Sequence, residues 1–191
     1  MARRHRSFRN PGRRGRLPDV ALLDGVVAPK ILAAMHAASE QLAAARVRHA
    51  LVGGLAVGAH GYPRATKDVD FLVGEEAFEH HGGGIVTIAP GVPIAVRDVA
   101  VDTLSIGPGE EHLDAALEEP EVTAGVPVVP LAVLVYLKMK SPRKKDAADV
   151  VELLKAGADA RAILSYLRAY APDMEDLFVE LKDAADSEGD E

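Results

Sequence analysis

Apolar positions first recur at helical spacing after Pro29. Ile31, Leu32, Met35 and Leu42, with alanines between them, form one stripe and predict a helix from Pro29 to about Arg46. Proline suits the first position of such a helix, where its missing N–H loses nothing. A short apolar run, His49 to Val52, predicts the first strand; Gly53-Gly54 breaks it, and Leu55 to His60 has the composition of a short helix. Apolar runs at Asp68–Val73, Ile85–Ala89 and Arg97–Ile106 predict further strands, with the triple glycine 82–84 as a turn before the second of these. Glu110 to Glu119 reads as an amphipathic helix, and Gly125 to Val129 as an edge strand limited by Pro127 and Pro130. From Pro130 onward only helical patterns remain: Leu131 to about Lys140, a helix through Asp146 and Asp149 closed by Gly157, then about Asp159–Tyr170 and Met174–Ala185. Strands and helices followed by helices alone imply an α/β (α+β) fold, a small mixed sheet with a helical C-terminal segment. The helix after Pro29 is expected on the sheet face opposite the active site. The chain divides into a basic arm (1–17), a core (18–129), a helical segment (130–185) and an acidic tail (186–191).

Composition narrows this picture. A length of 191 residues suits one domain, and an aromatic content of 4% leaves the core to Ala, Val and Leu. With no cysteine, disulfides, zinc ribbons and thiol nucleophiles are excluded together. No apolar run reaches membrane-spanning length and no signal-peptide segment follows the basic start, so a soluble, cytoplasmic protein without a membrane partner is expected. The net charge of −7 conceals a split: seven arginines and no acid over residues 1–16, and −14 on the remainder. Such an arm either touches RNA phosphates or is a solvated tail.

The chemistry concentrates between Leu51 and Val73. The glycine pair permits a tight turn, and the free N–H groups of the following helix start would face an anion held at that turn. Asp68 and Asp70 lie two apart on a strand, so both carboxylates leave one face while Val69 leaves the other. Carboxylates so placed repel unless water or a hard cation sits between them, and Mg²⁺ is the natural resident. His80-His81 beside Glu79 invites a metal reading too, but neighbours in sequence rarely converge on one ion, and a solvated turn is the expectation.

Gly-Gly, thirteen residues, then Asp-Val-Asp between apolar neighbours resembles the signature of nucleotidyltransferases that share the DNA polymerase β-type fold. Gly-Tyr-Pro-Arg-Ala-Thr-Lys before the aspartate pair is most similar to the bacterial AbiEii-toxin-like and minimal nucleotidyltransferases. The run from Lys138 through Arg143, Lys145, Asp146 and Asp149 resembles a second block of the AbiEii type. The resemblance implies a metal-dependent enzyme that moves a nucleoside monophosphate from a nucleoside triphosphate to an acceptor, with Mg²⁺ or Mn²⁺ held by three carboxylates. Asp68 and Asp70 supply two. Asp102, inside the apolar run 99–106, is the expected third and the general base; Asp98 is a second candidate, nearer a turn. Gly53, Gly54, Arg64, Thr66, Lys138, Arg143, Lys145 and Asp146 are the implied nucleotide-binding residues. Lys138 is the first candidate to reach the phosphates; Arg64 and Thr66 alternatively only hold their loop. Asp146 and Asp149 share a helix face, where they could fix Arg143 or Lys145. The implied acceptor is an RNA end, plausibly of tRNA, or a hydroxyl on a protein, in a toxin–antitoxin or phage-defence setting with a cognate toxin or antitoxin partner. The alternative is a non-catalytic nucleotide-binding or interaction protein that keeps the fold.

Overall fold

A computed structural model describes residues 17–189; the expected basic arm, apart from Leu17, and the last two residues lie outside that range. The chain adopts the expected mixed α/β architecture. The strands are β1 (His49–Leu51), β2 (Val69–Val73), β3 (Phe78–His81), β4 (Ile85–Ile88), β5 (Ala95–Val96), β6 (Val99–Ser105), β7 (Glu121–Thr123) and β8 (Val126–Val128). Six of them form one sheet in the order β5-β6-β2-β1-β8-β7, while β3 and β4 pair separately as a hairpin. The sheet is mixed: β2 runs antiparallel to β1 but parallel to β6, and β1 runs parallel to β8.

Strand alternation assigns the two faces. His49 is aligned with Val73, and its ring meets Phe71 edge-on at 5.4 Å. His49 Nδ1–H donates to Val47 O at 2.8 Å, which leaves Nε2 to accept from Ser39 Oγ at 2.9 Å. Ser39 belongs to helix α1 (Pro29–Ala44). Helix α1 therefore covers the face of His49, Phe71 and Val73, and Asp70 and Asp102 leave the opposite face. This is the side expected from the sequence.

Two turns move strand boundaries. Arg97 (φ 50°) and Asp98 (φ 63°) both occupy the left-handed region between β5 and β6, as a two-residue hairpin turn requires. The strand expected from Arg97 therefore begins at Val99, and Asp98 is a turn residue. Ala124 and Gly125 (φ 47° and 80°) make the same kind of turn between β7 and β8. The segment read as an edge strand is thus internal, with β7 outside it. Pro127 is tolerated because Val122–Pro127 is the pair next to the one flanking the turn, where no ladder bond is made. On the other side, β8 meets β1 only at Val128.

The remaining helices are α2 (Gly53–Ala59), α3 (His112–Glu118), α4 (Leu131–Lys140), α5 (Lys144–Lys155), α6 (Ala160–Tyr170) and α7 (Glu175–Gly189). Asp159 caps α6 by accepting from the N–H groups of Arg161 and Ala162, both at 3.0 Å. His112 of α3 stacks on Tyr170 at 4.8 Å and meets Tyr136 and Tyr166 edge-on, tying α3 to α4 and α6. Helix α7 packs on α5, where Lys155 pairs with Glu188 at 3.2 Å. The expected acidic tail is thus, as far as Gly189, the end of a helix. No helix among the described residues is long and apolar enough to cross a membrane.

Candidate active site

The parallel pairing of β2 and β6 sets Asp70 directly beside Asp102. Asp68 immediately precedes β2, and one carboxylate oxygen from each of the three lies within 4.8 Å of the others. Thr66 Oγ1 donates to Asp68 Oδ1 at 2.9 Å and fixes its rotamer. Asp70 is the most enclosed of the three. Burial, with Asp68 and Asp102 close by, pushes its carboxyl up to about 6, against a smaller opposing pull from Lys138 and Arg143.

The glycine turn is built around this carboxylate. Gly53 has φ +65°, and a Cβ on it would lie 1.9 Å from Asp70 Oδ2. Only glycine fits, on conformation and on space together. A Cβ on Gly54 would meet Thr66 Oγ1 at 3.1 Å and Arg64 Nη1 at 3.5 Å. Both glycines belong to α2, whose first turn starts at Gly53 rather than at Leu55.

A cleft opens over the carboxylates. Val52, Gly53, Gly54, Thr66, Asp68 and Asp70 line one side, and Arg64, Lys138, Ser141, Arg143, Lys145 and Asp146 another, with Leu104, Leu134 and Leu137 between. The cationic side is a chain of alternating charges. Arg64 grips Asp149 with two hydrogen bonds, Nε to Oδ1 and Nη2 to Oδ2, each 2.7 Å. Lys138 Nζ donates to Asp149 Oδ2 at 2.8 Å and to Asp146 Oδ1 at 2.6 Å. Arg143 Nε closes the chain on Asp146 Oδ2 at 2.7 Å. Burial alone would raise both aspartates. The hydrogen bonds from Lys138, Ser141 and Arg143 outweigh it and hold Asp146 down to about 2, and those from Arg64 and Lys138 hold Asp149 low.

The structure therefore brings Gly53, Gly54, Arg64, Thr66, Asp68, Asp70, Lys138, Arg143, Lys145 and Asp146 to one cleft, with Asp102 beside it. Two of the expected assignments change in detail. Lys138 does not reach out from a helix end: α5 folds over α4 and buries its side chain to 8% exposure between two carboxylates. Asp146, on the lining of the cleft, bonds Lys138 and Arg143, and the partners of Asp146 and Asp149 are Arg143, Lys138 and Arg64, not Lys145. Lys145 is exposed in the first turn of α5. His80 and His81, on opposite faces of β3, turn to Glu75 and to Thr87 and do not converge. Asp98, in its turn, is not part of the carboxylate group. Sequence reasoning missed the apolar lining of Leu104, Leu134 and Leu137, and Ser141; Leu104 was signalled by its position two residues after Asp102 on one strand face.

The residues fit a divalent metal. Three carboxylate oxygens converge, burial and the neighbouring carboxylates together raise Asp70, and Gly53 leaves the room that Asp70 occupies. An all-oxygen donor set suits Mg²⁺ or Mn²⁺.

No model of a known protein family matches the chain, and no curated protein matches it. Among solved structures it is similar to an antigenic nucleotidyltransferase-like protein from Paracoccidioides brasiliensis, at 15% identity and a TM-score of 0.42, over 82% of this chain and 94% of that one.

Proposed function

We propose that the protein is a nucleotidyltransferase, which moves a nucleoside monophosphate from a nucleoside triphosphate to an acceptor hydroxyl. The observation that carries the reading is the convergence of Asp68, Asp70 and Asp102, with oxygens within 4.8 Å, beside a cleft whose other side presents arginine. A triphosphate needs both: a metal for the reacting phosphate and fixed cations for the tail.

Asp68 and Asp70, with Asp102, would hold a divalent metal, which would supply Lewis-acid polarisation of the α-phosphate and charge neutralisation for pyrophosphate. Asp102 accepts the proton of the acceptor hydroxyl. That oxygen bonds to the α-phosphorus as the bond to the β-phosphate oxygen breaks, and pyrophosphate leaves. Arg64 and Arg143 meet the phosphate tail, and Leu104, Leu134 and Leu137 offer apolar surface to the base. The acceptor we propose is an RNA end or a protein hydroxyl, the two classes implied by the AbiEii-like motifs, with a toxin–antitoxin setting as the matching context.

The test is transfer from α-labelled ATP, CTP, GTP and UTP with Mg²⁺ to total cellular RNA and protein. Asp68→Ala/Asp70→Ala is run beside the wild type. We expect label in one acceptor class, reduced at least about 10³-fold in the double variant, with folding retained. Nucleotide binding that needs the carboxylates without any transfer would instead identify a non-catalytic binding protein. Neither binding nor transfer would overturn the reading.

A further inference from the structure

The cationic side of the cleft holds more charge than it shows to a ligand. Lys138 is spent on Asp146 and Asp149, and its side chain is 8% exposed. The two aspartates are 3% and 2% exposed and sit one helical turn apart on α5. Each then grips one arginine from its other oxygen or edge: Asp149 grips Arg64, and Asp146 grips Arg143. The arginines are the two ends of the chain and are more exposed than its middle, Arg64 being 18% exposed. Arg143 is 76% exposed. Arg64 commits Nε and Nη2 to Asp149, while its Nη1 makes only a 3.5 Å contact with Ala65 O and lies next to Gly54.

We infer that Asp146, Lys138 and Asp149 form a buried positioning core that aims Arg64 and Arg143 at the phosphate tail, and that Lys138 itself does not touch the substrate. The inference rests on the proposed reading of the cleft as a triphosphate site. Three features of the chemistry support it. A lysine between two carboxylates would have to leave both to reach an anion, stranding two buried charges. The guanidinium, unlike an ammonium, can be held by one edge and still offer the other. Lastly, two carboxylates one turn apart on α5 hold one arginine each, so both guanidiniums are oriented before an anion arrives.

Two substitutions separate the competing views. Inorganic tripolyphosphate in EDTA is the probe, its binding to the full-length chain measured by calorimetry, so that neither metal nor transfer enters. Asp149→Asn removes a negative charge from an anion site and loosens Lys138. If Lys138 is a phosphate ligand, or if charge alone matters, tripolyphosphate binds a few-fold tighter. If Asp149 positions Arg64, it binds about tenfold weaker. Arg64→Lys keeps the charge and loses the two-point grip; positioning predicts about a tenfold loss, charge alone predicts none. This second variant decides the matter if Asp149→Asn fails to fold. Tighter binding by Asp149→Asn, or unchanged binding by Arg64→Lys, overturns the positioning core while leaving a phosphate site in place. No binding of tripolyphosphate by the wild type overturns the core and the phosphate site with it. Tripolyphosphate binding without nucleotidyl transfer overturns only the proposed activity.

Discussion

The two sides of the cleft solve the problem of buried charge in opposite ways. On the basic side each carboxylate is matched: Asp146 and Asp149 share Lys138 and take one arginine each, all within 2.6–2.8 Å. On the acidic side three carboxylates crowd within 4.8 Å with a threonine hydroxyl on Asp68. One side is neutralised by its own residues, and the other is a cluster of like charges that could hold a cation. The difference separates holding from binding: a paired, buried group fixes geometry, whereas an unneutralised cluster stores repulsion that a ligand releases.

Cutting a charge from each side should therefore give contrasting stabilities. Lys138→Met leaves two buried aspartates with one arginine apiece, and we expect a loss of about 3–5 kcal/mol. Asp102→Asn lowers the repulsion on the acidic side and should leave the metal-free protein as stable or slightly more so. Denaturant midpoints of both variants in EDTA check the pair. Equal losses would show that the acidic cluster, too, is part of the scaffold.

How far all this was legible in the sequence depends on whether a feature is local. Asp68 and Asp70, the glycine turn before them and the helix through Asp146 and Asp149 are set by spacings of a few residues, and alternation or helical period reveals them. The alignment of Asp70 with Asp102 is a matter of register between distant strands; the apolar run around Asp102 pointed to a buried strand but not to its neighbour. Lys138 shows the limit. Its place near the end of α4 reads as a reaching cation, and nothing local announces that α5 returns over it. Strand β3 escaped for a different reason. Its hairpin stands apart from the main sheet with Glu79, His80 and His81 exposed, so no alternation of buried and exposed residues marks it. Pro127, likewise, suggested an edge because the turn at Ala124-Gly125, which sets the harmless register, requires a left-handed alanine that composition does not predict.

Titration should expose the same contrast with opposite signs. The Asp70 carboxyl is raised from 3.8 to about 6 in the folded protein. Between about pH 4 and 6 the native state then holds more protons than the unfolded state, so this group lowers stability as pH rises, by on the order of 2–3 kcal/mol in all. Asp146 is held at about 2, so its contribution, on the order of 2 kcal/mol, is full above about pH 4 and fades as pH falls through 2. His60, buried and lowered to about 4, acts against Asp70 over much of the same range, because the unfolded state takes up its proton first. The informative quantity is therefore the difference between wild type and Asp70→Asn, followed by thermal unfolding in EDTA from pH 4 to 7.5. We expect the variant to gain on the wild type steadily to about pH 6 and no further. Saturating Mg²⁺ should close the gap, since it binds only the wild-type carboxylate cluster well. A constant offset across the range would mean that Asp70 keeps an ordinary carboxyl and that the cluster carries no stored repulsion.

The finest contrast lies between adjacent glycines, because they make room for different groups. Gly53 makes room for Asp70, and Gly54 for Thr66 and Arg64. In Gly53→Ala the left-handed backbone is strained and the new methyl stands where Asp70 Oδ2 lies, so the carboxylate must move. In Gly54→Ala the backbone is helical, and alanine gains up to about 1 kcal/mol of helix propensity over glycine. Against this, Thr66 must give way by a few tenths of an ångström, its Oγ1 standing 3.1 Å from the added Cβ. We expect Gly54→Ala to fall within about 0.5 kcal/mol of the wild type and Gly53→Ala to be about 1–2 kcal/mol less stable. The two should also part in what they bind. Gly53→Ala should lose the Mg²⁺-dependent rise in melting temperature and keep tripolyphosphate binding, because Arg64 and Arg143 are untouched. Gly54→Ala should keep most of the metal response, reduced only through the Thr66–Asp68 bond, and weaken tripolyphosphate slightly, through the shift of Thr66 beside Arg64. If instead both variants lost metal and polyphosphate together, the cleft would act as one unit and its two sides would not be separable.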